Sequence, residues 1–506
     1  MKNISISTVL VSVLISGIVS FFVARITIPK IVETPPVVVD PKDPKDPKDP
    51  IKEPEKPVIG EPSDNLFFTE KEMQVWKSRW QNGPYKNKGD AGHGGQYSPG
   101  DVEIINKLAE DFRANPDKDN FFGVSGSGLI KRWDTPEPKQ KSVKLVMAAF
   151  KAMMDNDASL ANLVKENIFK QIRLKRNDIT DRSQWDYNLA FINPGFFMPD
   201  WGQRLAQSYF YLKPYFSEAE SKELNDYLLA LADWSYETLE KVMNGNWEDR
   251  SKGIPAGGYK VPTNINYNGS PEFTWQGGYP VPVFTQYTYN NRAWMFVRYI
   301  AWAGNYYNIE KYKKSAKQFF KEWVQYGVWP DGTMGELYRG PGGYSWSPGH
   351  TGYYYAGIIL ACAIQTADWF ARKGDFELYD YTFTSGLYGE YENYIGVGTR
   401  GLKKAIDTFA SYHTTNKTIR VDNVPLTGHW ANNTDGYIIE GFSSMANRYY
   451  KDKKIKDAYM RTAPGAIPFP RSVESMAGNN GYGGPLGTYP GVALMFYDLE
   501  YINVYP

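Results

Sequence analysis

Only one cysteine, Cys362, occurs in 506 residues. An intrachain disulfide is therefore excluded, as is any metal or redox motif that needs two thiols. Cys362 sits in the apolar run GIILACAIQ, where a buried, inert thiol is expected rather than a nucleophile. Histidine is nearly as scarce: His93, His350, His413 and His429 are the full set. None stands in an HExxH spacing or another close pair, so a zinc enzyme is not expected, and nothing calls for a metal or a cofactor. Net charge is almost absent, with 57 basic residues against 56 acidic ones. There is no global field to attract nucleic acid or an anionic membrane surface. Alternating apolar and polar residues, the mark of half-buried strands, are scarce before Thr418.

What the chain does have is aromatic side chains: 38 Tyr, 26 Phe and 15 Trp. That number of amphipathic rings suits clefts that stack on sugars, whose ring faces are apolar and whose edges carry hydroxyls. Between Lys2 and Arg25 lie 22 uncharged residues, enough to span a bilayer as a helix. A secretory signal peptide is the competing reading, but FFVA before Arg25 makes a poor cleavage site, which favours an uncleaved anchor. Residues 1–30 are thus expected to be a transmembrane anchor. The spacer at 31–64 contains PKDPKDPKDPIKEPEKP, whose recurrent prolines block helix and sheet and favour an extended, solvated rod. Anchor and stalk together imply a body held outside a cell or virion on a single-pass membrane protein, and a membrane partner through the first helix.

From residue 65 to residue 506 no second linker appears, so one domain is expected. Amphipathic helical periodicity recurs in DVEIINKLAEDFRAN, SVKLVMAAFKAMMDN, ASLANLVKENIFKQIRL and IEKYKKSAKQFFKEWVQYGV. The stretch GHTGYYYAGIILACAIQTADWFARKG is apolar nearly all round, as an inner helix would be. The fold class expected is all-α, with helical hairpins arranged in a toroid or barrel. Connections alternate short and long, and in up-down hairpins every second connection lies at the same end. The long ones, from about 175 to 200, 243 to 290 and 329 to 350, therefore crowd one face, where functional residues concentrate.

Two segments meet on that expected face. YTYNNRAWMFVRYIAWAG brings Tyr289, Asn290, Asn291 and Arg292 to a helix mouth. One hairpin later, WPDGTMGELYRGPGGYSWSPGH carries Glu336, Tyr338, Arg339, Tyr344, Trp346 and His350. Each has a plainer explanation. An Asn before a helix is commonly an N-cap, Tyr344 and Trp346 could pack a loop, His350 could bond a helix terminus, and Arg339 could pair with Glu336. Taken together they suit β-elimination at a uronic acid. Amide and guanidinium donors neutralise the carboxylate and stabilise charge developing at C5. A base removes the C5 proton, and an acid protonates the departing O4. A tyrosine beside an arginine can serve, because the cation favours phenolate.

YNNR opening a helix, followed by DGTMGELYRG, resembles the alginate lyase family with an α/α-toroid fold. The likeness covers mainly Trp201 to Lys373. That family carries Asn-Asn-His at the helix mouth, then an acidic residue and an arginine ahead of the catalytic tyrosine. The resemblance implies that Asn291 neutralises the carboxylate, Arg339 assists, and a tyrosine soon after it is the acid. Tyr344 is the foremost choice, with Tyr353 and Tyr354 also in reach. Tyr289, Asn290, Arg292, Glu336, Tyr338 and Trp346 would contact an acidic polysaccharide. Where the family's histidine base belongs, this chain has Arg292, which stays protonated and is a poor base. The base then falls to His350, or to Tyr344 acting as base and acid in turn.

Two other classes fit parts of the pattern. A glycoside hydrolase on an α/α barrel would pair Asp331 or Glu336 with Asp200 or Asp435 across the scissile bond. A non-catalytic sugar-binding surface protein would account for the missing histidine.

Overall fold

The computed structural model describes residues 65–87, 101–119, 143–174, 179, 198–242, 289–334, 339–340, 343–344, 350–384, 398–414, 418–419, 424–425, 437–460 and 492–506. All belong to the compact unit that runs from Pro57 to Pro506. The expected anchor and spacer, residues 1–64, lie outside the described residues. So do Glu336, Tyr338, Trp346 and Asp435.

The class is all-α: 77% of the described part is helix, and its strands are two-residue pairs. The early helices are α1 (Glu70–Asn82), α2 (Asp101–Ala114), α3 (Val143–Asp155), α4 (Ala158–Ile172), α5 (Met198–Leu212) and α6 (Glu218–Val242). Next come α7 (Asn291–Tyr306), α8 (Glu310–Glu322), α9 (His350–Ala371) and α10 (Glu377–Asp380). The last are α11 (Leu402–Thr414), α12 (Tyr437–Tyr450), α13 (Lys453–Met460) and α14 (Val492–Phe496). Among the described residues, no helix is long and apolar enough to cross a membrane.

Local chemistry explains several boundaries. Thr69 caps α1 in a reciprocal capping box with Glu72, which satisfies two backbone donors at once. Asn290 caps α7, its Oδ1 accepting from the N–H groups of Arg292 and Ala293 at 3.0 Å each. In α8, Tyr312, Ser315, Ala316, Phe319 and Phe320 turn inward at helical spacing, with lysines between them. α8 can lie close to α7 because Gly304 leaves room; a Cβ there would come within 3.0 Å of Tyr312 Cβ and 2.9 Å of the Lys313 nitrogen.

The inner helices pack in succession. α3 lies on α5, α5 on α7, α7 on α9, and α9 on α12. α12 meets α14, which touches α1 and α2, and α2 packs on α3. α6 covers α5 and α7, α8 covers α7, and α11 lies against α9 and α12. Three inner helices run the same way. Arg298 of α7 donates to Gln365 of α9 at 3.3 Å. Four residues further along each helix, Trp302 and Trp369 both meet the ring of Phe67. On α5, Asp200 pairs with Arg298 while Phe210 reaches Tyr306. The N-termini of α5, α7 and α9 therefore share one end.

A buried ion quartet ties distant parts of the chain. Glu72 receives two bonds from Arg372, at 2.9 and 3.0 Å, and one from Arg448. Asp368 accepts from Arg372 at 2.8 Å, Arg448 at 3.1 Å and the Tyr505 hydroxyl at 2.8 Å. Glu72, on α1, is fully buried. Burial alone would raise its pKa, but Arg372 and Arg448 outweigh that and hold it at about 2.

Candidate active site

α8 returns the chain to the mouth of α7. The Tyr289 hydroxyl donates to Glu322 Oε2 at 3.3 Å, and Trp294 packs edge-on against Trp323 at 5.1 Å. At Trp323–Gly327 the α-helix widens to a π turn, a distortion frequent near functional sites. A hairpin follows, closed by the Val328–Met334 bridge. Gly332 sits at its tip with φ of 85°, which the absence of a side chain permits.

Next come two short strands, β1 (Arg339–Gly340) and β2 (Gly343–Tyr344). They pair antiparallel, with Arg339 directly opposite Tyr344, and β1 lies against α9. Arg339, Tyr344 and His350 are described by their backbone alone. His350 is the first residue of α9, fifteen positions before Gln365, whereas Asn291 is seven before Arg298. α9 thus begins about 12 Å further out than α7, at 1.5 Å per residue. Tyr353 and Tyr354 fall in the first turn of α9.

Asn291 and Arg298 are two turns apart and so share a face of α7. Arg298 shows which face: it meets Asp200 of α5 and Gln365 of α9. Beneath Asn291 the interior is polar. Asp200 Oδ2 accepts from Arg204 at 2.6 Å, and its other oxygen accepts from Arg298. Gln203 and Arg298 converge on Gln365 Oε1, at 3.4 and 3.3 Å. Burial pushes Arg204 below its usual pKa, Asp200 opposes that, and the Arg298 charge adds to it. Cys362 lies in the same interior, and burial raises its thiol to about 12, so it stays protonated and unreactive.

The side chains near the mouth divide by what they touch. Asn290 is the α7 cap, and Asn291 and Arg292 are buried beside it. Tyr289 is also buried, its ring edge-on against Phe319 and its hydroxyl on Glu322. Two acids named for a hydrolytic pair are engaged elsewhere. Asp200 is held between two arginines, and Asp331 Oδ1 accepts from Thr333 N–H at 2.9 Å and Thr333 Oγ1 at 2.6 Å within the hairpin. Among the described residues, no group of His, Cys, Asp and Glu could hold a metal ion.

Sequence reasoning did not single out Arg204, Arg298 or Gln365. The four-residue step from Asp200 to Arg204 was a signal available for the first. The α5–α7–α9 convergence has no local signature. Compared with protein-family models and with curated proteins, the sequence matches none.

Proposed function

We propose that this protein is a polysaccharide lyase that cleaves a uronate-containing polysaccharide by β-elimination, from an α/α toroid held at a membrane by the N-terminal helix and stalk. Support for the toroid comes from inner helices whose packing runs from α3 round to α14 and back through α2. The observation that carries the activity is the β1–β2 register, in which Arg339 is opposite Tyr344. Directly opposite positions of an antiparallel pair are nearest neighbours across it, so the register sets Arg339 and Tyr344 at one rung of the pair, next to the helix that begins at His350.

In this reaction Asn291 and Arg339 neutralise the uronate carboxylate and stabilise the enolate-like charge as it develops. Tyr344 or His350 removes the C5 proton. The C–H electrons form the C4–C5 double bond, the C4–O4 bond breaks, and O4 takes a proton from tyrosine. With Arg292 where a histidine base would stand, Tyr344 in both roles suits syn elimination.

The product's double bond is conjugated to its carboxylate and absorbs in the ultraviolet, whereas hydrolysis leaves no chromophore. Incubating the protein with alginate, glucuronan and other uronate polymers should raise the absorbance with at least one. Arg339→Ala should lower turnover more than it weakens binding, because its partner is charge that forms only during reaction. Reducing ends appearing without absorbance, and abolished by Glu336→Gln, would refute the lyase assignment.

A further inference from the structure

A surface cavity of about 550 Å³ opens between α1, α2 and α3, a size within the range of small-molecule clefts. Trp80, Lys86, Asn106, Lys151, Asp155 and Asn156 line it. Asp155 is engaged on both oxygens: Trp80 Nε1 donates to one at 2.7 Å and Lys151 Nζ to the other at 2.6 Å. Lys86 has no carboxylate partner among the described residues; its ammonium bonds the Gln81 carbonyl at 2.5 Å. Asn106 Oδ1 is buried in the wall and accepts no hydrogen bond among the described residues. The residue as a whole is only half-buried, so its amide nitrogen is the group that can meet a ligand hydroxyl in the cavity.

The cavity is well separated from the helix mouth. Phe150 of α3 packs against both Trp80 and Tyr211, at ring distances of 6.0 and 5.3 Å. Tyr211 is at the C-terminal end of α5, eleven residues beyond Asp200, or about 16 Å along the helix axis.

We infer that this cavity is an auxiliary binding subsite for an acidic saccharide unit. The Lys86 ammonium takes the carboxylate, and the Asn106 and Asn156 amides take ring hydroxyls. The ligand class rests on the uronate reading above. A second hold on the polymer keeps a large, immobile substrate against the body between turnovers, raising effective concentration at the mouth.

Lys86→Gln and Asn106→Ala test this, since the Lys86 bond to the Gln81 carbonyl is exposed to solvent and water can replace it. Binding of hexasaccharides of mannuronate, guluronate and glucuronate to the full-length protein is measured by calorimetry, with maltohexaose as the neutral control. The double variant should bind the favoured acidic hexasaccharide at least fivefold more weakly, with an unchanged melting temperature. Its KM for long polymer should rise while kcat holds. Acidic binding that is absent, or unmoved by the double variant, overturns the subsite even if the ultraviolet chromophore forms. Equal loss for maltohexaose overturns the acidic class. Loss of acidic binding in a protein that never yields the chromophore leaves the subsite standing and removes the lyase function.

Discussion

Replacing Glu72 by Gln should be among the most damaging single-atom changes available to this protein. The substitution keeps the shape, and glutamine can still serve the capping box with Thr69. What it removes is the charge that two buried guanidiniums share, leaving Arg372 and Arg448 with Asp368 alone. Breaking a buried ion pair by removing one partner destabilises by about 3–5 kcal/mol. The carboxyl's own titration gives a similar figure. A fall from 4.5 to about 2 corresponds to about 3 kcal/mol of differential stabilisation. The sign follows from proton uptake: the unfolded chain binds this proton near 4.5 and the folded one near 2. The contribution is therefore complete above pH 4.5 and lost as pH falls toward 2. With an unfolding entropy of about 2.1 cal/mol/K per residue over roughly 440 residues, Glu72→Gln should lower the melting temperature by about 4 °C at pH 7. Scanning calorimetry of both proteins between pH 7 and pH 3 reads the gap, which should narrow below pH 4.5. Asp226→Asn is the control, because its pair with Lys222 is largely exposed and worth under about 0.5 kcal/mol. A Glu72→Gln protein that melts within 1 °C of the parent, or a gap that does not change with pH, would refute the reasoning.

Other outcomes follow from single contacts. Asn290→Ala removes the acceptor for two backbone donors at the start of α7 and should lower stability by about 1 kcal/mol in thermal or denaturant unfolding. Gly332→Ala forces a side chain onto a backbone with φ of 85° and into Thr408 and the Lys404 carbonyl; it should destabilise by more than 1 kcal/mol, roughly the strain of such a site, and a neutral result would show that the hairpin gives way. Tyr344→Phe removes one hydroxyl, so the fold should survive by circular dichroism while chromophore formation falls at least a hundredfold, about the contribution of a general acid or base. His350→Ala separates the base candidates: a comparable loss assigns proton abstraction to histidine, and a loss under tenfold leaves tyrosine in both roles.

Helices were legible in the sequence because their signals are local. The 3.6-residue recurrence in α8, the unbroken apolar run of α9 and the Asn before α7 each act within a few residues of where they are read. The all-α class followed from those signals alone. So did the inertness of Cys362, since one thiol in an apolar run has nothing to activate it. Tertiary structure decided which polar residues meet. Glu72 finds Arg372 300 positions away and Arg448 376 positions away, and no spacing rule links them. Asp200, Arg298 and Gln365 converge from three helices because α5, α7 and α9 lie parallel at matching depth. Tyr289 looked free for a substrate and was taken up by Glu322, since α8 doubles back to put its last turn beside the mouth. Local preferences write helices into the chain; the partners of a buried charge depend on where the whole chain brings opposite charges together out of water.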